Sequence, residues 1–342
     1  MADSWVVVGL DNGGNKNNAT VLDACGRFLV DRLFERPSRV TEGPEIAVRA
    51  LVESFEDILQ RTGIERSRVR AVGLDTPGPA SAEGVVSSRG STNFAHPGWR
   101  SFDFRGALQA KLALPVVYDN DGNAAALYAH HQLFGSQAAE HSSISAIVGT
   151  GLGGGVIERG RVIKGSSGFA GELGHVHIPM EGLLEAGQPL PRCNCGFTGD
   201  AESVASLTGI ELNLLPFWLD RFPGHELRKC ESMAKAAKLV RAYGEQGDAM
   251  ALHVFEQQAK ALGRLFTIAA NFVDPDAYFV GGGVVEAAAH FREWFLTKVR
   301  ENTVLREEAA AVARFAVVPD LDMAGARGAA LSALRSTNAS AS

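Results

Sequence analysis

The chain has 342 residues, 46% of them hydrophobic and 21% charged, with a formal net charge of −6. A single core seldom grows past roughly 250–300 residues, so this composition predicts a soluble protein of two domains. No Lys/Arg run forms a nucleic-acid footprint, and no stretch approaches the roughly 18 uninterrupted apolar residues of a membrane span, which excludes both as partners.

The N-terminal MADSW lacks the basic-then-apolar pattern of a secretory signal. It leads into WVVVGL (5–10), apolar throughout and expected to be a strand buried on both faces. The turn DNGGNK follows, then ATVLD and RFLVDRLF, which read as further strands of an antiparallel meander. PEIAVRALVESFEDILQRTG (44–63) repeats apolar residues at helical spacing and ends in Gly, a natural C-cap. VRAVGLD (69–75) predicts a buried strand broken by TPGP. FRGALQAKLAL then leads into the strand PVVYD (115–119), and NDGNAAALYAHHQLFG reads as a helix.

ISAIVGTG (144–151) starts the pattern again, with a glycine run and the hairpin VIERGRVIKG. KAAKLVRAYG and DAMALHVFEQQAKALGRLFTIAANFV are amphipathic helices, and AYFVGGG (277–283) is a strand entering a glycine turn. RFAVVPDLD and AGARGAALSALR close the chain as strand and helix, ahead of a frayed STNASAS. Each half opens with an apolar strand, a glycine turn and a second strand. That repetition predicts duplicated α/β domains facing a cleft, a common place for ligands. The expected division is a small domain over 1–125 and 325–337, a larger one over 126–324, and a disordered tail over 338–342.

Several turns carry residues suited to chemistry. In DNGGNK, the backbone N–H groups around Gly13 and Gly14 can face an anion, Lys16 adds positive charge, and Asp11 can hold hydrated Mg²⁺. The segment is not a Walker A loop, because Asn15 follows Gly14 and a strand follows the turn; a plain hairpin is the alternative. GTGLGGG (149–155) contains GxGxxG, yet strands follow it where a dinucleotide site needs a helix. It fits a second phosphate hairpin, and GGG (281–283) fits an approach by adenosine. Asp121, between strand and helix, is either an N-cap or a general base for an attacking alcohol. Glu172 and His175 stand three apart in GFAGELGH, where one helical turn would aim both at adjacent hydroxyls of a polyol. Asn93 and Glu202 are polar residues in loops, a context that also suits surface or capping roles.

Cys25, Cys193, Cys195 and Cys230 are too few and uneven for a disulfide framework and favour a reducing cytoplasm. Only CNCGFTGDAES (193–203) pairs two of them, in the manner of a metal knuckle with Asp200 as the next donor.

Taken together, DNGGNK, LDTPGP, NFAHPGW, YDNDGNAAAL, GTGLGGGVIERGRVIKGSSGFAGELGH, CNCGFTGDAE, VDPDAYFVGGGV and AGARGAAL resemble the ROK sugar kinases over nearly the whole chain. The resemblance implies the two-domain, actin-like (ribonuclease H-like) ATPase and hexokinase fold. It implies Asp121 as catalytic base, with Asn93, Asn120, Glu172, His175 and Glu202 on the other sugar hydroxyls. Asp11, Gly13, Gly14, Asn15, Lys16, Thr150 and Gly151 would serve the phosphates of ATP or Mg²⁺, and Gly282 and Gly283 the nucleotide. Asn15 replaces the family's usual Thr and keeps a hydrogen-bond donor.

The family also binds structural Zn²⁺ through one His and three Cys. Here His175, Cys193 and Cys195 match, and Asp200 stands in place of the last Cys. Zinc accepts carboxylate oxygen; His177 as fourth ligand, or a metal-free loop in which Asp200 caps the next helix, are the alternatives. The resemblance further implies a homodimer and a hexose substrate, glucose first, with an N-acetylhexosamine, mannose, fructose or a cyclitol as alternatives. The stretch from His175 to Cys193 is longer than the family's usual one and reshapes the sugar-site rim. Polyphosphate is an alternative donor. A sugar-responsive repressor is not expected, because a first strand at Trp5 leaves no room for a helix-turn-helix. A non-catalytic sugar sensor is the remaining alternative.

Overall fold

The computed structural model describes residues 5–78, 80–87 and 94–339. In chain order the first strands are β1 (Val6–Asn12), β2 (Lys16–Asp23) and β3 (Arg36–Pro37), followed by helix α1 (Pro44–Thr62) and β4 (Val69–Thr76). Helix α2 (Phe104–Leu112), β5 (Val116–Asn120) and α3 (Asp121–Phe134) come next. The second series starts with β6 (Ser143–Val148), β7 (Leu152–Glu158) and β8 (Arg161–Val162). Helices α4 (Glu202–Ala205), α5 (Leu207–Gly209), α6 (Leu215–Arg221), α7 (Met233–Glu245) and α8 (Ala249–Val273) follow. The chain ends with β9 (Ala277–Gly282), α9 (Ala289–Glu301), α10 (Glu307–Val312), β10 (Arg314–Val317) and α11 (Leu321–Ala339). None of the described helices is long and apolar enough to cross a membrane.

The repeated pattern seen in the sequence is a repeated topology. One five-stranded sheet has the order β3-β2-β1-β4-β5 and the other β10-β9-β6-β7-β8. In the first, β1 pairs antiparallel with β2 and parallel with β4, which pairs parallel with β5. In the second, β6 pairs parallel with β9, which pairs parallel with β10. This is the expected duplicated α/β class.

The chain divides into two compact units, Met1–Ala139 with Gly155–Gly171 and Pro319–Ser342, and Glu140–Gly154 with Glu172–Val318. The boundary expected at 125/126 therefore falls inside α3, all of which lies in the first unit. Helix α11 includes Asn338 and Ala339, where a disordered tail was expected; residues 340–342 lie outside the described ones.

The first unit's core is built from the apolar faces of β1, β4 and α1, with Val8, Leu10, Leu51, Phe55, Ile58 and Leu74 all buried. Helix α1 starts with Pro44 at its first turn and stops at Gly63, whose φ of 66° is the left-handed conformation glycine takes at a C-cap. On the sheet's other side, α11 lies directly against β1 and β4. A Cβ on Gly9 would fall 1.9 Å from the Ala326 carbonyl, and one on Gly73 1.9 Å from that of Ala329. Only glycine allows that approach.

Two local expectations change. RFLVDRLF does not form a strand: Phe28 makes one bridge to Leu22, and β3 is two residues farther on. Val30 and Phe34 still bury in the core, so the alternating pattern records burial without a ladder. The glycine run after Val148 is not one turn either, since Gly153, Gly154 and Gly155 belong to β7. A Cβ on Gly154 would fall 2.1 Å from the Ser145 carbonyl.

Candidate active site

In the first unit, β1 ends in a hairpin in which the Gly13 N–H donates to the Lys16 carbonyl at 2.9 Å. Gly13, Gly14, Asn15 and Lys16 form its tip, where Asn15 and Lys16 are exposed. The Lys16 ammonium pairs with Glu35 at 2.7 Å, so its charge is shared with a carboxylate in this conformation. Asp11, half-buried at the end of β1, sits in register with Asp75 at the end of β4. Both carboxyl groups converge on Gly325, where a Cβ would be 2.6 Å from Asp75 Oδ2 and 3.0 Å from Asp11 Cγ. Asp75 is fully buried, and among the described residues neither of its oxygens has a hydrogen-bond partner meeting normal geometry. Burial and the neighbouring Asp11, Asp121 and Asp119 charges hold its carboxyl well above the usual range. Asp11 is pushed up to about 6, mainly by burial; the Asp75 carboxyl beside it acts in the opposite direction and the Asp121 charge adds to the rise.

Asp75 escaped sequence reasoning, although a signal was present. VGLD occurs at 8–11 and again at 72–75, and the two copies pair residue for residue in the sheet.

At the junction of β5 and α3, the two readings of Asp121 separate. The helix is capped by Asn120, whose Oδ1 accepts from the Asn123 N–H at 2.7 Å. Asp121 is the first helical residue, exposed, with Oδ1 accepting the Gly122 N–H at 2.7 Å. A carboxylate in the first turn interacts favourably with the helix dipole. Asn120 thus has a structural duty beyond any sugar contact. Asn93 lies outside the described residues.

In the second unit, the turn after β6 holds Thr150 and Gly151, with the Gly149 N–H donating to the Gly151 carbonyl at 2.9 Å. It is buttressed by Leu207 and Thr208, whose N–H groups reach the Gly149 and Thr150 carbonyls at 2.9 and 3.1 Å. A cavity of about 300 Å³ opens beside it, lined among others by Thr150, Ile210, Arg241, Phe255, Gly283 and Val284. Gly282 has φ of 91°, and a Cβ there would fall 2.0 Å from the Val148 carbonyl, so β9 must end in glycine. Arg241 donates to the Gly283 carbonyl and, with Lys238 one helical turn earlier, puts two cations at this cavity. Neither was singled out in the sequence, where KLVR at helical spacing was the available signal.

Glu172, His175 and Glu202 also lie in this unit. Burial pushes the pKa of the Glu172 carboxyl above its usual value, His175 opposes the shift and Glu202 adds to it. Glu202 Oε2 accepts the Leu152 N–H at 2.8 Å, and its Oε1 accepts from the Cys193 thiol at 3.2 Å.

The knuckle residues come together as well. Donor atoms of His175, Cys193, Cys195 and Asp200 all lie within 4.8 Å of one another. His175 Nδ1 is 3.3 Å from Asp200 Oδ2, and the two sulfurs are 3.1 Å apart. Asp200 serves two roles with two oxygens: Oδ1 accepts the Ser203 N–H of α4 at 2.9 Å, while Oδ2 faces His175 and Cys195. Two thiols, one imidazole and one carboxylate match zinc chemistry. His177 is not in this group; its ring packs on Phe197 with centroids 5.5 Å apart.

A model of the ROK family matches residues 7–336. The chain is 30% identical over 319 residues to a glucokinase of Halalkalibacterium halodurans, covering 90% of this chain and 91% of that one. It is 31% identical over 284 residues to an N-acetyl-D-glucosamine kinase of Salmonella dublin, covering 81% and 83%. Among solved structures, a ROK hexokinase from Thermus thermophilus superimposes with a TM-score of 0.75 at 31% identity, covering 98% of this chain and 99% of that one.

Proposed function

The chain belongs to the ROK family, and from that membership we propose that it transfers the γ-phosphoryl group of ATP to the primary hydroxyl of a hexose, glucose first. It is an ATP-dependent carbohydrate kinase on the duplicated actin-like α/β fold. The observation that carries the mechanism is the division of labour at the head of α3. Asn120 does the capping, so Asp121 presents an exposed carboxylate at the first helical position.

In this reading Asp121 takes the proton of the attacking hydroxyl as it meets phosphorus. Asn93, Asn120, Glu172, His175 and Glu202 orient the remaining hydroxyls, and the hairpin tips at 13–16 and 150–151 present N–H groups to the phosphates. Asp11 is the carboxylate suited to Mg²⁺, which supplies charge neutralisation on the phosphate oxygens. The apolar wall of the cavity beside Gly283 favours a nucleoside triphosphate over bare polyphosphate as donor. His175, Cys193, Cys195 and Asp200 would hold a structural zinc whose chemistry is to pin His175 and the loop carrying Glu202.

Similarity to an N-acetyl-D-glucosamine kinase supports that amino sugar as the second substrate reading. A coupled ADP-release assay over glucose, mannose, fructose, N-acetylglucosamine and a cyclitol separates them. Glucose is expected to give the highest kcat/KM, and no turnover with any of them would turn the reading to a sugar sensor. Asp121→Asn should lower kcat by at least about 10²-fold with an unchanged melting temperature; wild-type turnover in that variant removes Asp121 as base.

A further inference from the structure

Lys164 lies two residues beyond β8, on the segment 155–171 that folds with the first unit. Its ammonium is 2.7 Å from Asp119 Oδ1 and donates to the backbone carbonyl of Tyr118. Both partners are at the end of β5, directly ahead of Asn120 and Asp121. Asp119 is 2% exposed, and its other oxygen accepts from the Ser332 hydroxyl on α11. The strand end is therefore gripped from two parts of the chain remote from it in sequence.

The arm that carries Lys164 is itself fixed. Gly165 and Gly168 have φ of 70° and 90°, and a Cβ on Gly168 would fall 2.2 Å from the Ala82 nitrogen. The loop is thus packed tightly onto the turn beside β4. The charge at its end also has a purpose. Asp11, Asp119 and Asp121 all bear on the buried Asp75, whose carboxyl their charges help to raise. Arg335 is a second cation within electrostatic reach of Asp119, but Lys164 is the one paired with its carboxylate.

We propose that Lys164 is a positioning residue for the phosphoryl-transfer step, holding the Asp119 carboxylate and the Tyr118 carbonyl so that the β5–α3 junction presents Asp121 at a fixed place. The sequence offers no motif for this role; it follows from a salt bridge and a hydrogen bond on consecutive residues next to the base. The proposal rests on Asp121 being that base. Small displacements of a catalytic group are expensive, about 10²-fold in rate for about 1 Å. Loss of Lys164 should therefore act on kcat more than on sugar binding.

The test compares Lys164→Met, Lys164→Arg, and the double variant Lys164→Met/Asp119→Asn with wild type. The double variant removes both charges, so no buried carboxylate is left unpaired to unfold the protein. Each is checked for fold by thermal melting, then assayed for kcat and for KM of sugar and ATP. Lys164→Met, or the double variant if the single one does not fold, should lose at least about 10-fold in kcat with sugar KM changed less than about 3-fold. Lys164→Arg should recover most of the loss, because its guanidinium can hold both oxygens. A folded Lys164→Met with kcat within about 2-fold of wild type overturns the proposal. So does full kcat in the double variant, which would make Lys164 only a counter-charge for Asp119. Asp121→Asn run alongside separates the two claims: activity there sinks the base assignment, whereas an inactive Asp121→Asn with an active Lys164→Met sinks the positioning role alone.

Discussion

Asp11 and Asp75 end neighbouring strands with their carboxyl groups turned to the same point, and burial makes a double negative charge there costly. Because the folded state raises both pKa values, it binds more protons than the unfolded chain does between the usual aspartate value of about 4 and the folded values. The stabilisation is fully present below that range and is lost as pH rises through about 6 for Asp11 and through the raised value of Asp75. The asparagine of Asp75→Asn mimics the protonated acid. In Mg²⁺-free buffer this variant should melt higher than wild type at pH 8 and match it near pH 4. Parallel melting curves from pH 4 to 8 would show that the pair does not titrate in this way. The capping alternative for Asp121 was visible in DNDGN, and only the hydrogen bond from Asn123 decides between neighbours. Asp75 was not legible from residue type, because its character comes from the register that sets it beside Asp11.

At the scale of elements, the knuckle joins two regions that are far apart in sequence. Cys193 contacts Glu202, and Glu202 holds the N–H that follows the turn at Thr150 and Gly151. The positions 175, 193, 195 and 200 could be read from the sequence as one group, whereas this hydrogen-bond link could not. If Asp200 supplies the fourth ligand, Asp200→Cys should keep about one zinc per chain. Asp200→Ala should lose zinc during dialysis and melt several degrees lower, as should wild type treated with a chelator. Emission spectroscopy of dialysed protein gives the count; equal zinc in Asp200→Ala would remove Asp200 from the ligand set. The failed strand at RFLVDRLF has a different cause. Arg32 and Arg61 flank the Phe34 ring at 5.3 and 5.5 Å, and Val30 and Phe34 are buried by side-chain packing instead of a sheet ladder, while Leu29 and Leu33 stay exposed. Alternation reports which side chains are buried and is blind to where the backbone bonds go.

At the scale of the molecule, the two sheets repeat one strand order, which a sequence-wide reading of strand, glycine turn and strand anticipates. The unit boundaries were harder to read, because the segment 155–171 joins the first unit while both its flanks belong to the second. Such a return is invisible to composition; it depends on contacts such as Lys164 with Asp119.

The close seat of α11 on Gly9 and Gly73 has a consequence for biosynthesis. The first strand, Val6–Asn12, leaves the ribosome long before the helix that covers it, Leu321–Ala339. Until then the apolar backs of β1 and β4 wait exposed, while the second unit can already fold. Chains stopped after Val318 should therefore be soluble only with chaperone help and fully sensitive to protease in the first unit, with the second unit protected. A release of full-length chain should restore resistance to both units together. Protease resistance of the truncated first unit equal to that of the full chain would show that the N-terminal half completes its core without its final helix.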